Sequence, residues 1–279
     1  MAAKLRPPSV PNHGFGRHLI WEITSMTDHS PTRRVVLSLL AHPDDAEILC
    51  AGTLIRLSDL GWDVHIATAT AGDCGSVDLP ADQIAQLRRA EATAAAELIG
   101  ATYHCLGLRD VDVIFDHQSN RLAIDLFRRI APTLVITHPR CDYMLDHEQV
   151  HLLARSAAFS YPIPNASALP MAEGAAIPWL YYCDPVEGHD PYRGTAITPS
   201  VYVDITTAID RKIEMLSCHQ SQRQWLRSHH GMDEYLESMK RHGAQRGQEL
   251  GSEYAEAFVQ HRGHAFPQSH LLQEILGGI

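Results

Sequence analysis

The amino-acid sequence predicts an α/β fold: three layers (αβα), Rossmann-like, with a mostly parallel sheet and helices on both faces. Three features of the 279 residues predict it. Short apolar runs lack the alternation of half-exposed strands, as strands buried on both faces do. Helical stretches separate those runs, as βαβ units require. Polar clusters follow directly on two of them, where open parallel sheets place their chemistry.

The first apolar run, Val35 to Leu40, ends at Ala41-His42-Pro43-Asp44-Asp45, where Pro43 imposes an extended or turning backbone. A helix follows over Ala46–Leu60 and stops at Gly61. Val64–Thr70 reads as the second strand, with a loop over Gly72–Gly75, and Asp82–Ile99 as a long helix closed by Gly100. A weaker strand lies near Tyr103–Leu106, a helix at Arg121–Ile130, a buried strand at Thr133–Thr137 and a helix at His147–Phe159. Beyond Tyr161 four prolines (162, 164, 170 and 178) interrupt the chain. Strands at Trp179–Cys183 and Val201–Ile205 come next, then helices from about Ala208 to Gln222 and from Met232 to Gln245. The expected organisation is an N-terminal extension (1–34) and a single domain (35–279), with a core over 35–160 and an elaborated C-terminal part over 161–279.

Composition narrows the function. A formal charge of −10, with no basic run, argues against nucleic acid as partner. No apolar stretch approaches the ~20 residues a membrane span needs, and the proline-bearing N-terminus lacks a signal-peptide core. The six cysteines are scattered without a C-x-x-C pair, as reduced thiols are. A cytoplasmic protein with a small-molecule substrate is expected, and assembly as a homo-oligomer is compatible with the chain.

The chemistry concentrates in two clusters. In His42-Pro43-Asp44-Asp45, an imidazole and a carboxylate three residues apart on a tight turn can reach one metal ion. Zinc accepts both donor types and leaves a position for water in catalytic sites. The natural division makes His42 and Asp45 ligands and Asp44 the base that deprotonates water. The same turn would also serve simply to cap the next helix. The second cluster runs from Asp142 to His151, and within it His147-Glu148-Gln149-Val150-His151 matches H-E-x-x-H, the zincin peptidase pattern. That pattern belongs inside a long helix, whereas His147 stands at the start of this one.

The run LSLLAHPDDAEILCAGTL resembles the LmbE-like (PIG-L) deacetylase family, whose signature is an apolar strand followed by (A/P)-H-P-D-D-x-E. The Thr70–Gly75 loop, the helix bearing Arg88 and Glu91, and the Asp146-His147 pair also resemble it, with a weaker echo at Glu253–Phe258. The resemblance covers roughly 35–160. It implies zinc ligands at His42, Asp45 and His147, a general base at Asp44, and hydrolysis of an N-acyl amide, usually N-acetyl on a glucosamine-type sugar. One position departs: where the family commonly has a histidine assisting the oxyanion or leaving amine, this chain has Met144, whose thioether donates no proton. Either another group serves, with His189, His229, His230 and His264 as candidates, or Asp44 carries both proton transfers, or activity is lost; His151 is an auxiliary or solvent-facing histidine. Arg88 and Asp110 are positioned to bind polar substrate groups, against readings as a Glu91 partner and a turn former. Trp225 stands as a stacking wall or as helix-packing core.

Overall fold

The computed structural model describes residues 33–185, 188–223 and 234–277. The expected extension (1–34) therefore lies almost wholly outside the described residues, as do Trp225, His229 and His230.

Seven strands form one sheet in the order β3-β2-β1-β4-β5-β9-β8. They are β1 (Val35–Leu40), β2 (Asp63–Thr70), β3 (Thr102–Leu108), β4 (Leu134–Thr137), β5 (Trp179–Cys183), β8 (Val201–Asp204) and β9 (Ala255–Gln260). The first five run parallel; β9 pairs antiparallel with both β5 and β8. A separate two-residue pairing joins β6 (His189–Asp190) to β7 (Thr195–Ala196). Every residue of β1 is buried, which is why its sequence shows no alternation. The helices are α1 (Asp45–Leu49), α2 (Ala51–Asp59), α3 (Ala81–Glu97), α4 (His117–Ile130), α5 (Leu145–Ser160), α6 (Ile209–Ser217), α7 (Glu234–Leu250) and α8 (Leu271–Leu276). Two apolar clusters flank the sheet, one holding Leu40, Leu54 and Phe258, the other Leu39, Phe127 and Leu153. The three-layer expectation is met. All six cysteines are free thiols, and among the described residues no helix is long and apolar enough to cross a membrane.

Three expectations are corrected. The helix predicted over Ala46–Leu60 breaks at Cys50 into α1 and α2, because Glu256 supplies an acceptor for the freed amides. Its two carboxylate oxygens accept the N–H groups of Gly52 (2.8 Å) and Thr53 (2.7 Å). Lys212 balances that buried carboxylate, with Nζ 2.5 Å from Glu256 Oε1 and 2.9 Å from the Ile48 carbonyl. The second correction is β9 itself, seen in the sequence only as a weak echo and here a buried strand inserted between β5 and β8. The helix expected over Ala208–Gln222 is likewise broken: α6 ends at Ser217 and helical structure resumes at Gln220.

Candidate active site

β1 lies between β2 and β4, so the strand order reverses beside it, and loops leaving β1 and β4 open a crevice there. From β1 comes the His42–Asp45 turn; from β4 comes the segment His138–His147. Asp44 takes a left-handed conformation (φ 111°) that few non-glycine residues adopt, and the turn it makes carries Asp45 into the first turn of α1. The Asp45 carboxylate accepts the His42 N–H at 2.7 Å, which closes the turn.

One ligand atom from each of His42, Asp45 and His147 lies within 4.8 Å of the others. His147 Nε2 stands 3.3 Å from His42 Nδ1 and 3.6 Å from Asp45 Oδ1. Both imidazoles are held from behind by carboxylates. His42 Nε2 meets Asp110 Oδ1 at 3.1 Å and Asp146 Oδ2 at 3.2 Å, and His147 Nδ1 meets Asp142 Oδ1 at 3.2 Å. Asp146 is itself fixed by the Val111 and Val113 amides, and Asp110 by that of Cys74. His138 stacks on His147 with ring centroids 3.9 Å apart, accepts the Ala41 N–H at 2.9 Å, and lies 3.2 Å from Asp45.

Burial disfavours every charge here, and the neighbours decide which charges survive. Burial lowers the His42 pKa, yet hydrogen bonds to Asp110, Asp146 and Asp45 outweigh it and raise it well above the ordinary value. For His147 burial is likewise overcome, by Asp45 and Asp142, and the pKa rises. Asp45, which burial would push up, is held well below the carboxylate range by His147, His138 and His42. For His138 burial and the neighbouring His147 outweigh the pull of Asp45 and Asp142, and its pKa falls to about 4. Asp44 rises because burial and Asp45 exceed the stabilising charge of Arg88. Carboxylates on all sides of two imidazole nitrogens, with a mixed nitrogen and oxygen donor set, form a site that fits a divalent cation.

The site opens into a cleft of about 400 Å³ lined by His42, Asp44, Asp45, Arg88, Met144 and Tyr235 among others. The structure thus brings together His42, Asp44, Asp45, Arg88, Asp110 and His147. Arg88 is buried, and its donors go to the carbonyls of Gly72 (3.3 Å) and Pro43 (2.7 Å) and to Asp44 Oδ2 (3.2 Å). It does not pair with Glu91, which binds Ser221 instead. Asp110 lines the cleft while contacting His42.

Four predicted positions lie elsewhere. His151 Nδ1 faces the His138 carbonyl at 3.0 Å and its ring packs on Tyr182, so it does not converge with His147. Glu148, the base a zincin would need, accepts the Asp142 N–H and the Tyr192 hydroxyl. The H-E-x-x-H match therefore has no metal geometry. His189 lies in β6 and lines a different cavity with Met239 and His242. His264 lines a groove with Phe159 and Phe266. Neither replaces the histidine missing at Met144. Sequence reasoning gave no role to His138 and Asp142, which stand against His147, or to Gln222 and Tyr235, which line the cleft. The first two were signalled by their place after a strand; the last two carried no local signal.

The sequence signature of the PIG-L family, described as GlcNAc-PI de-N-acetylase, matches residues 37–158. A diacetylchitobiose deacetylase from Thermococcus kodakarensis is 26% identical over 205 residues, covering 67% of this chain and 69% of that protein. A 4-oxalmesaconate hydratase from Pseudomonas putida is 25% identical over 207 residues, covering 71% and 78% respectively. The solved N,N'-diacetylchitobiose deacetylase from Pyrococcus horikoshii superposes with a TM-score of 0.69 at 23% identity, covering 86% of this chain and 89% of that one. At that identity the superposition speaks for the fold. Residues 37–158, which hold His42, Asp44, Asp45 and His147, thus carry the sequence signature of the PIG-L family, and the site is built in the part of the chain that is similar to those deacetylases.

Proposed function

We propose that the protein is a cytoplasmic, zinc-dependent hydrolase that removes an N-acyl group, N-acetyl in the first instance, from an amino sugar or sugar conjugate. The observation that carries the reading is the convergence of His42, Asp45 and His147 beside Asp44. A zinc ion on those three ligands would supply Lewis acidity for the amide carbonyl and lower the pKa of water to about 7. Asp44 takes the proton of the attacking water, and its raised pKa suits it to hand that proton to the departing amine. Water oxygen bonds to the acyl carbon, the C–N bond breaks, and acetate and a free amine leave. Arg88 orients Asp44, and Asp110 and Asp146 fix the His42 ring so that Nδ1 faces the ligand set. With Met144 in the cleft wall, Asp44 carries both proton transfers.

The relative named as a hydratase supports a second reading, addition of water to a small unsaturated acid at the same centre. One experiment addresses both. Purified protein is analysed for zinc and assayed for primary-amine release across N-acetylated sugars and conjugates, before and after chelation. Amine release that chelation abolishes and zinc restores is the expected result. Full activity of metal-free protein would sink the proposal, and zinc without amine release would favour the hydratase reading.

A further inference from the structure

The base is not held by its own turn. Asp44 sits in a conformation costly for a residue with a Cβ, and such residues persist only where the surroundings fix them. Two side chains do so here, and both act on the same oxygen. Arg88 Nη2 donates to Asp44 Oδ2 at 3.2 Å, and the Tyr235 hydroxyl donates to it at 2.6 Å. Two donors saturate a carboxylate oxygen. Among the described residues none donates to Oδ1.

Tyr235 comes from α7, outside the segment that matches the family, 191 residues along the chain from Asp44. Its ring packs with Leu216 and Met239 in a small cluster that seats α7 on α6, while its hydroxyl reaches the cleft wall. It is only 8% exposed, so water does not compete freely for the contact.

We propose that Tyr235 is the positioning residue for the general base: with Arg88 it locks Asp44 Oδ2, so that Oδ1 is the proton acceptor. The inference rests on the hydrolase reading above and assigns a role in it to the C-terminal part of the chain.

Tyr235→Phe keeps the ring and removes one oxygen. In the full chain loaded with zinc, kcat for amine release should fall about 10- to 100-fold, the usual range for an outer-shell partner. KM, zinc stoichiometry and melting temperature should stay at their wild-type values. Crystal structures of both proteins should show the Asp44 carboxylate turned away from its wild-type orientation in the variant. Wild-type kcat in the variant, or a lost kcat with Asp44 unmoved, overturns the proposal. If the variant does not fold, the wild-type crystal structure decides, and a Tyr235 hydroxyl pointing away from Asp44 overturns it. If wild-type protein releases no amine, the hydrolase reading fails by itself; the Asp44 orientations in the two crystal structures still judge the positioning role.

Discussion

Asp44 and Asp45 are adjacent in sequence and opposite in electrostatics. Asp45 faces three histidines and stays ionised, whereas Asp44 faces Arg88, Tyr235 and the Asp45 charge, and holds its proton more readily. In the proposed hydrolysis the first serves as a ligand and the second as a proton carrier. Asp44→Asn should accordingly retain zinc while lowering turnover at least ~100-fold, the usual contribution of a positioned base. Metal analysis beside an amine-release assay reads both. Glu148→Gln makes the opposite prediction. Glu148 accepts hydrogen bonds from Asp142 and Tyr192, and an amide oxygen can do the same, so turnover should stay near wild type. Collapse of activity in that variant alone would restore the peptidase reading.

At the scale of elements, the β2–α3 loop and α2 are held by partners far from them in sequence. Gly72 has φ +66°, and a Cβ placed there would lie 2.0 Å from Arg88 Nη1. Gly72→Ala therefore strains the backbone and evicts the guanidinium that orients Asp44. A loss of about 1–3 kcal/mol in chemical denaturation is expected, together with reduced turnover. An active variant of wild-type stability would show that Arg88 does not need that approach. The break between α1 and α2 depends on Glu256 and Lys212, whose side chains are each 3% exposed. Removing one partner of such a pair leaves the other charge buried alone, so Glu256→Ala should cost about 3–5 kcal/mol in urea unfolding. It should also loosen α1, the helix that carries Asp45.

For the whole molecule, the buried histidine–carboxylate cluster sets a pH dependence. His42 and His147 have raised pKa values, so the stability they give the metal-free protein is present below ~6.5 and is lost as pH rises through their folded values. Asp45 is depressed, so its contribution is present above ~3.9 and is lost as pH falls through its folded value. Metal-free protein should thus draw most from this cluster between about pH 4 and 6.5. Zinc must displace the protons on His42 and His147, so binding should release protons and weaken on acidification. Calorimetry of zinc binding in buffers of different ionisation enthalpy counts those protons. No proton release near neutral pH would contradict the raised values.

The sequence by itself determined the fold class and the first half of the site. Buried parallel strands are written as continuous apolar runs, and the His-Pro-Asp-Asp turn is a local event whose residues are neighbours in the chain. His147 was legible through the resemblance to the PIG-L signature, and its approach to the turn follows from the strand order, which puts the ends of β1 and β4 side by side. Only the tertiary structure decided what surrounds that pair. Glu256 breaks a helix 204 residues away, and Tyr235 reaches a base 191 residues away. Such contacts depend on docking between elements, and no local periodicity or propensity encodes a partner at that separation. The H-E-x-x-H match failed for the same reason: shared spacing along a helix says nothing of where each imidazole points. His151 turned to the His138 carbonyl, and His147 to the ligand set.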